Sequence, residues 1–207
     1  MQSSPLLVLA SASPTRRNIL YNAGFRPQIH ASNFDEDSIQ LEDPAELVKK
    51  LAQSKAENVA IAYGNQPALV IGCDSIMWLN GKICGKPKSE AHAIATWEKM
   101  RGGKAIIYSG HCLIDTKSKK LRIEYAKSTV YFANATESEI ESYVFTGEPM
   151  NCAGCFTLEG LGGLLVEKIE GCHTNILGLS LPLFRNMLRE LGYRIRFTSD
   201  RLVELEN

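Results

Sequence analysis

An aspartate stands inside an apolar run, Val70-Ile71-Gly72-Cys73-Asp74-Ser75-Ile76-Met77. Taking an ionised carboxylate out of water is costly unless a cation, a metal or several donors meet it. Asp74 is therefore a candidate general base or hard-metal ligand. The plainer account is a structural Asp satisfied by backbone amides, or a run that ends early as a turn. A lysine poses the matching question. Val48, Leu51, Ala52, Ala56 and Val59 form one stripe at helical spacing, and Lys55 lies within that stripe. On spacing alone its stem is expected to snorkel to the edge; the alternative is a charge turned into a cleft.

Further groups join them. Ser11-Ala12-Ser13-Pro14-Thr15-Arg16-Arg17 follows an apolar strand and opens a helix. Small residues let a ligand approach the backbone, and the free amides of a helix start favour an anion. Two arginines in a first turn oppose the helix dipole. A phosphate between them would remove the misfit; two solvated arginines beside an ordinary Ser13 cap are the alternative. Glu36 lies in the acidic stretch Phe34-Asp35-Glu36-Asp37, where acids are usually just solvated. Glu159 lies among glycines in Thr157-Leu158-Glu159-Gly160-Leu161-Gly162-Gly163, where a base or ribose can rest on backbone. Cys152-Ala153-Gly154-Cys155 has C-x-x-C spacing but no second pair for zinc and no thioredoxin-like context. His30, His92, His111 and His173 make no ligand pattern, and Trp78 and Trp97 read as core.

The elements that must position these groups can be read in order. Residues 6–9 read as a buried strand and 18–23 as helical, closing at Gly24. Asp43 caps a helix with Pro44 at its first position, running to about Ala62. Residues 68–79 form a strand, Asn80-Gly81 a hairpin turn, and 82–86 the return strand before Pro87. A two-residue turn makes Leu79 face Lys82 and, counting outward, Ser75 face Lys86. Asp74 and Lys86 would then be within one rung but on opposite faces, so a bulge or fraying before Pro87 must intervene if both serve one site. Ser89 caps a helix through Met100. Strands follow at 105–114 and 121–132, then Thr136 and Glu139 form a capping box for a helix ending near Gly147. A glycine-studded loop (154–163), a strand (164–169), a helix (181–191) and a strand (193–197) complete the chain. Strands and helices interleave without strict alternation, which predicts an α/β class with a mixed sheet.

The gross numbers limit the partners. Lys plus Arg number 23 and Asp plus Glu 23, so bulk charge cannot steer a polyanion, and no nucleic-acid partner is expected. Cations for a small anion must be local. Six cysteines, several inside apolar stretches, read as free thiols of a reducing, cytoplasmic compartment. Residues 1–12 lack the basic start and the apolar length of a leader peptide, and no run approaches a membrane span. A single domain over 1–207 suits the length.

Several segments together resemble the Maf family in order and spacing. They are Leu9-Ala10-Ser11-Ala12-Ser13-Pro14 with Arg16-Arg17, Leu51-Ala52 with Lys55-Ala56, Asp74, and Asn80-Gly81 with Gly85-Lys86-Pro87. Tyr108-Ser109-Gly110, Gly147-Glu148-Pro149, Ala153-Gly154, Glu159-Gly160-Leu161-Gly162 and the 178–182 segment continue the match over nearly the whole chain. The resemblance implies a single α/β domain in which a curved mixed sheet flanked by helices forms a deep cleft, similar to inosine-triphosphate pyrophosphatases. It implies hydrolysis of a nucleoside triphosphate between the α and β phosphates with a divalent cation, Mg²⁺ or Mn²⁺. Asp74 matches the family's proton acceptor. Ser13, Arg16, Glu36, Lys55 and Lys86 match its other polar cleft residues, with Glu36 joining Asp74 as an oxygen ligand. Thr15, Ser75 and Glu159 match positions that help choose the base. Glu159 resembles a branch preferring N7-methyl-GTP, Ser75 is closer to one preferring dTTP and UTP, and Thr15 looks like neither, so the three do not agree on a base. A nucleotide-binding regulator of septum formation with little turnover is the alternative, and a homodimer is left open.

Overall fold

The computed structural model of the chain describes residues 5–64 and 66–206, so the first four residues of the leader reading lie outside the described residues. Strand β1 (Leu6–Leu9) leads into helix α1 (Pro14–Asn22), a short β2 (Gln28–Ile29) and the long α2 (Pro44–Ala60). Then come β3 (Ala68–Leu79), β4 (Lys82–Cys84), α3 (Glu90–Met100), β5 (Lys104–Asp115) and β6 (Lys120–Phe132). The chain continues through α4 (Glu137–Phe145), β7 (Val166–Glu170), α5 (His173–Ile176), α6 (Leu181–Glu190), β8 (Arg194–Phe197) and β9 (Val203–Glu206). The main sheet is mixed and seven-stranded, in the order β2-β1-β3-β5-β6-β7, with β4 paired to β3 beside it. This is the α/β class with a helix-flanked mixed sheet that the sequence predicts. Strand β1 is parallel to β2 and β3, whereas β4 and β7 run antiparallel to β3 and β6. Strands β8 and β9 form a separate two-stranded ribbon. No helix among the described residues is long and apolar enough to cross a membrane.

The chain gathers into two compact units. The first holds the chain up to Asp74, Ser109–Ala126 and everything from Gly178; the second holds Ser75–Tyr108 and Lys127–Leu177. Strands β3, β5 and β6 contribute to both. In the first unit, alternate residues of β3 (Ala68, Val70, then Gly72) turn one face toward α2, and Val8, Ala10, Ala52, Ala56, Val59 and Cys112 complete that core. In the second, Trp97 stands at the centre, edge-on to Phe132 and Tyr143 with ring centroids 5.5 Å away in each case. Its indole N–H donates to the Cys155 carbonyl at 2.8 Å, so this buried polar group is satisfied.

Local sequence accounts for most boundaries. The Asp43 carboxylate accepts from the Ala45 and Glu46 amides, the Ser89 hydroxyl from His92, and the Thr136–Glu139 capping box closes reciprocally. Asn80 and Gly81 both have positive φ, 49° and 81°, as the predicted hairpin turn requires. Four expectations need correction. Helix α1 starts at Pro14 rather than residue 18, because the Ser13 hydroxyl already caps it through the Arg16 amide. Residues 161–165 form a 3₁₀ turn, so the strand expected from residue 164 begins at Val166. Trp78 is only half-buried, unlike the fully buried Trp97. The β3–β4 ladder has the expected register, Leu79 opposite Lys82, but stops at Met77 opposite Cys84. The Ser75–Lys86 rung does not form, because Gly85 turns its carbonyl to the Gly154 amide at 3.3 Å.

Helix α2 rides very low on the sheet. A Cβ on Gly72 would strike the Ala52 carbonyl and come within 2.8 Å of the Ala56 amide, and one on Gly110 would strike the Val48 carbonyl. Overpacking usually costs about 1–3 kcal/mol where side chains can yield, and backbone yields less. Gly72→Ala is expected to lower stability by at least about 2 kcal/mol, measured as a drop in the urea midpoint at unchanged slope. An unchanged midpoint would refute the close approach.

Candidate functional site

Gly72 and Asp74 are two residues apart on β3 and so share the face that α2 covers. The approach that excludes a side chain at Gly72 also lowers Lys55, the residue before Ala56, onto Asp74. Lys55 Nζ donates to Asp74 Oδ1 at 2.5 Å and lies 2.8 Å from Glu36 Oε1. Burial is uneven. Lys55 and Asp74 are 8% and 6% exposed, whereas the Glu36 side chain keeps 57% of its exposure. Glu36 is presented by a 3₁₀ turn (Glu36–Ser38) that Asp35 caps through the Asp37 amide at 3.2 Å. Ser32 ties the same loop to α2 by donating to Asn58 at 3.2 Å. The expected snorkelling of Lys55 does not occur, because the carboxylate at its tip compensates the buried charge. Two carboxylates thus converge on one positive charge.

Arg16 is held nearby in the same unit. Ser11 Oγ accepts from the Ser13 amide and from Arg16 Nη1, both at 3.2 Å, and Arg16 Nε donates to the Gly178 carbonyl at 2.9 Å. The first turn of α1 contains no acid, so its dipole is not offset from within the helix. Thr15 is half-buried and Arg17 exposed. The turn bearing Gly178 is fixed from behind by His111, which is wholly buried on β5. Its Nε2 accepts from the Ser180 amide at 2.8 Å, which leaves the proton on Nδ1, 3.1 Å from the Ser109 carbonyl. Burial pushes this imidazole down to about 4, the Ser109 carbonyl opposing and the Arg16 charge assisting. Cys73, the neighbour of Asp74, feels the charges of both Arg16 and Lys55; burial nonetheless pushes its thiol up to about 12.

The second unit holds the remaining candidates. Ser75 is half-buried, and Lys86 and Glu159 are exposed. Lys86 and Glu159 both act on half-buried Cys152, whose thiol is raised first by burial, then by Glu148 and Glu159, with Lys86 opposing. Cys155 is pushed up to about 11, mainly by burial, the reverse of an activated thiol. Glu148 is the most heavily bonded carboxylate here. Burial would raise it, but bonds from Thr157, Gly162, Leu161 and Tyr143 bring it down to about 2.

A Maf-like protein family model matches residues 6–191. The chain belongs to the Maf family. Among its curated relatives, a Nostoc punctiforme protein named nucleoside triphosphate pyrophosphatase is 51% identical over 92% of this chain and 96% of its own length. Proteins of the same name from Rippkaea orientalis and Gloeothece citriformis are also 51% identical, over 93% and 91% of the chain and 92% and 95% of their own lengths. The β8–β9 ribbon lies beyond the Maf match and bonds back to the end of α1, Val203 N–H donating to the Gly24 carbonyl at 3.0 Å.

Within this Maf-family chain the sequence signals for Asp74, Lys55, Glu36, Ser13 and Arg16 fall in one unit, and those for Ser75, Lys86 and Glu159 in the other. Ser11 and His111 carry no individual signal in the sequence. Ser11 looks like any small residue, and nothing in sequence pairs His111 with Ser180. Glu148 was visible only within Gly147-Glu148-Pro149.

Lys55→Met is expected to lower stability by about 3–5 kcal/mol, as loss of one partner of a buried pair does, whereas Glu36→Gln, at the exposed end, should cost under about 1 kcal/mol. Equal costs in urea unfolding would contradict the asymmetry. His111 supplies a pH signature. Its folded value lies below the unfolded one, so its contribution is complete above about 6.5 and is lost as pH falls toward about 4. Thermal melts from pH 7 to 4 should fall more steeply in the wild type than in His111→Gln; parallel curves would remove His111 from that role.

Proposed function

We propose that this chain hydrolyses nucleoside triphosphates between the α and β phosphates, releasing the nucleoside monophosphate and pyrophosphate. The buried Lys55–Asp74 pair, with Glu36 as a second carboxylate, carries the reading. A buried ion pair adds little to stability compared with apolar residues of the same volume. Its presence on the core face of α2 is explained by work on a charged ligand. The shared name of the relatives supports the same reaction and places it among hydrolases acting on phosphorus anhydrides.

In this reading Asp74 takes the proton of a water that attacks the α phosphorus. The anhydride bond to the β phosphate breaks, and its electron pair leaves with pyrophosphate. Lys55 holds the Asp74 carboxylate through Oδ1, so the base does not rotate away from the water. Arg16, steered by Ser11 and Gly178, binds phosphate oxygens in a fork that Lys could not reproduce. Ser13 and the opening amides of α1 receive the same anion. Lys86 adds a cation, and Thr15, Ser75 and Glu159 contact the base.

Glu36 and Asp74 also suit a divalent cation. Both are hard oxygen donors, and they already gather around one positive charge, so the donor set fits Mg²⁺ or Mn²⁺. Glu36 and Asp74 are the residues that would hold it; no group of three or more His, Cys, Asp or Glu side chains that could do so is found among the described residues. When bound, the cation supplies charge neutralisation on the phosphates and acidifies water.

Pyrophosphate release from a panel of nucleoside triphosphates, with Mg²⁺, Mn²⁺ or EDTA, tests the reaction. Turnover should need the cation, and Asp74→Asn should keep nucleotide binding while losing about 10²- to 10⁴-fold in kcat. Binding without turnover of any nucleotide would favour the regulator, and near-wild-type rates in Asp74→Asn would move the base elsewhere.

A further inference from the structure

One carboxylate in the second unit organises the turn that carries Glu159. Glu148 Oε1 accepts from Tyr143 Oη at 2.8 Å, Thr157 Oγ1 at 2.5 Å and the Gly162 amide at 3.0 Å, while Oε2 accepts from the Leu161 amide at 2.9 Å. Tyr143 Oη in turn accepts from the Thr157 amide at 3.3 Å. The turn thus closes around a single anion. The glycines within it are those such closure needs. A Cβ on Gly160 would meet Glu148 Oε2 at 2.5 Å, and one on Gly162 would strike the Tyr143 hydroxyl.

Apolar packing holds only the start of this turn, where Phe156 is buried and Leu158 packs partly against the same core. Leu161 and, just beyond the turn, Leu164 are 52% and 84% exposed, so its far side depends on the Glu148 bonds. The anchor itself is built. Gly147 takes a left-handed φ of 76° to leave α4, and Thr146 Oγ1 accepts the Glu148 amide at 3.2 Å. Glu148 itself opens the next 3₁₀ turn (Glu148–Asn151) with Pro149 second, and the Tyr143 ring is wedged edge-on against Trp97. Gly-Glu-Pro therefore aims a carboxylate at a loop rather than leaving it to solvent.

We propose that Glu148 is a positioning residue which locks residues 157–163 and thereby sets how Glu159 discriminates between nucleobases. This rests on the reading that Glu159 contacts the base. Without the anchor the backbone of the turn would sample several conformations, and a flexible acid discriminates less than a fixed one. The chemistry at phosphorus does not pass through Glu148, so its loss is felt in binding and selectivity before kcat.

Three variants, Glu148→Gln, Tyr143→Phe and Glu159→Gln, separate this from a merely structural role. Amide hydrogen exchange reads the lock directly. Glu148→Gln should speed exchange at Leu161 and Gly162 by about tenfold or more, and Tyr143→Phe by less, since it removes one donor. The kcat/KM ratio between GTP and UTP reads selectivity. It should move toward unity by about five- to tenfold in Glu148→Gln, chiefly through KM. Adding Glu159→Gln to Glu148→Gln should produce little further change, as expected of coupled residues. If Glu148→Gln does not fold, Tyr143→Phe must show the same pattern at smaller size. Faster exchange with an unchanged GTP/UTP ratio overturns the proposal, and so does unchanged exchange. The Glu159→Gln ratio then distinguishes the failures. If it shifts, the base contact stands and only the role of Glu148 falls; if it does not, the base reading falls too.

Discussion

Burying an ammonium against a carboxylate between a helix and a strand fixes the distance, rotation and register of both elements. Lys55 and Asp74 meet only because α2 presses onto β3 closely enough that Gly72 cannot bear a side chain. The small residues Ala52 and Ala56 make that approach possible and complete the apolar face around the charges. Low helix placement, the glycine notch and the buried pair are thus one constraint. Replacing the pair by apolar residues of equal volume would be physically acceptable to the fold, which is why its retention bears on function.

The same economy appears around Arg16. A serine, a backbone carbonyl and a neutral histidine acting one step further back direct the guanidinium. No acid neutralises it within the first turn of its helix. Hydrogen bonds to the Ser11 hydroxyl and the Gly178 carbonyl fix the direction in which this charge points. Local cations of this kind would reconcile the proposed phosphate recognition with a chain whose formal net charge is zero.

Elements were legible in the sequence wherever local chemistry decides. The Asp43, Ser89 and Thr136 caps and the Asn80-Gly81 turn act over a few residues, and all lie where the pattern puts them. The boundary between the 3₁₀ turn and β7 is not legible, because their apolar run has no internal marker of where pairing begins. At the site, Asp74 stood out by its apolar surroundings. The behaviour of Lys55 did not follow from its own helix, since periodicity describes a face and says nothing of what lies opposite. The Glu148 network was hidden for the same reason. Its partners lie 5 to 14 residues away along a loop with no period.

The glycine notches under α2 also restrict how the protein can move. Sliding the helix by one residue would bring bulkier neighbours over Gly72 and Gly110 and drive backbone into backbone. The helix cannot act as a piston or a rotor; it is a fixed axle. The Glu36 side chain, carried on a short 3₁₀ turn outside the helix, is by contrast more than half exposed. On the proposed reading the site pairs a deeply buried base with an outer carboxylate that faces solvent, so a ligand can reach the second without reopening the core.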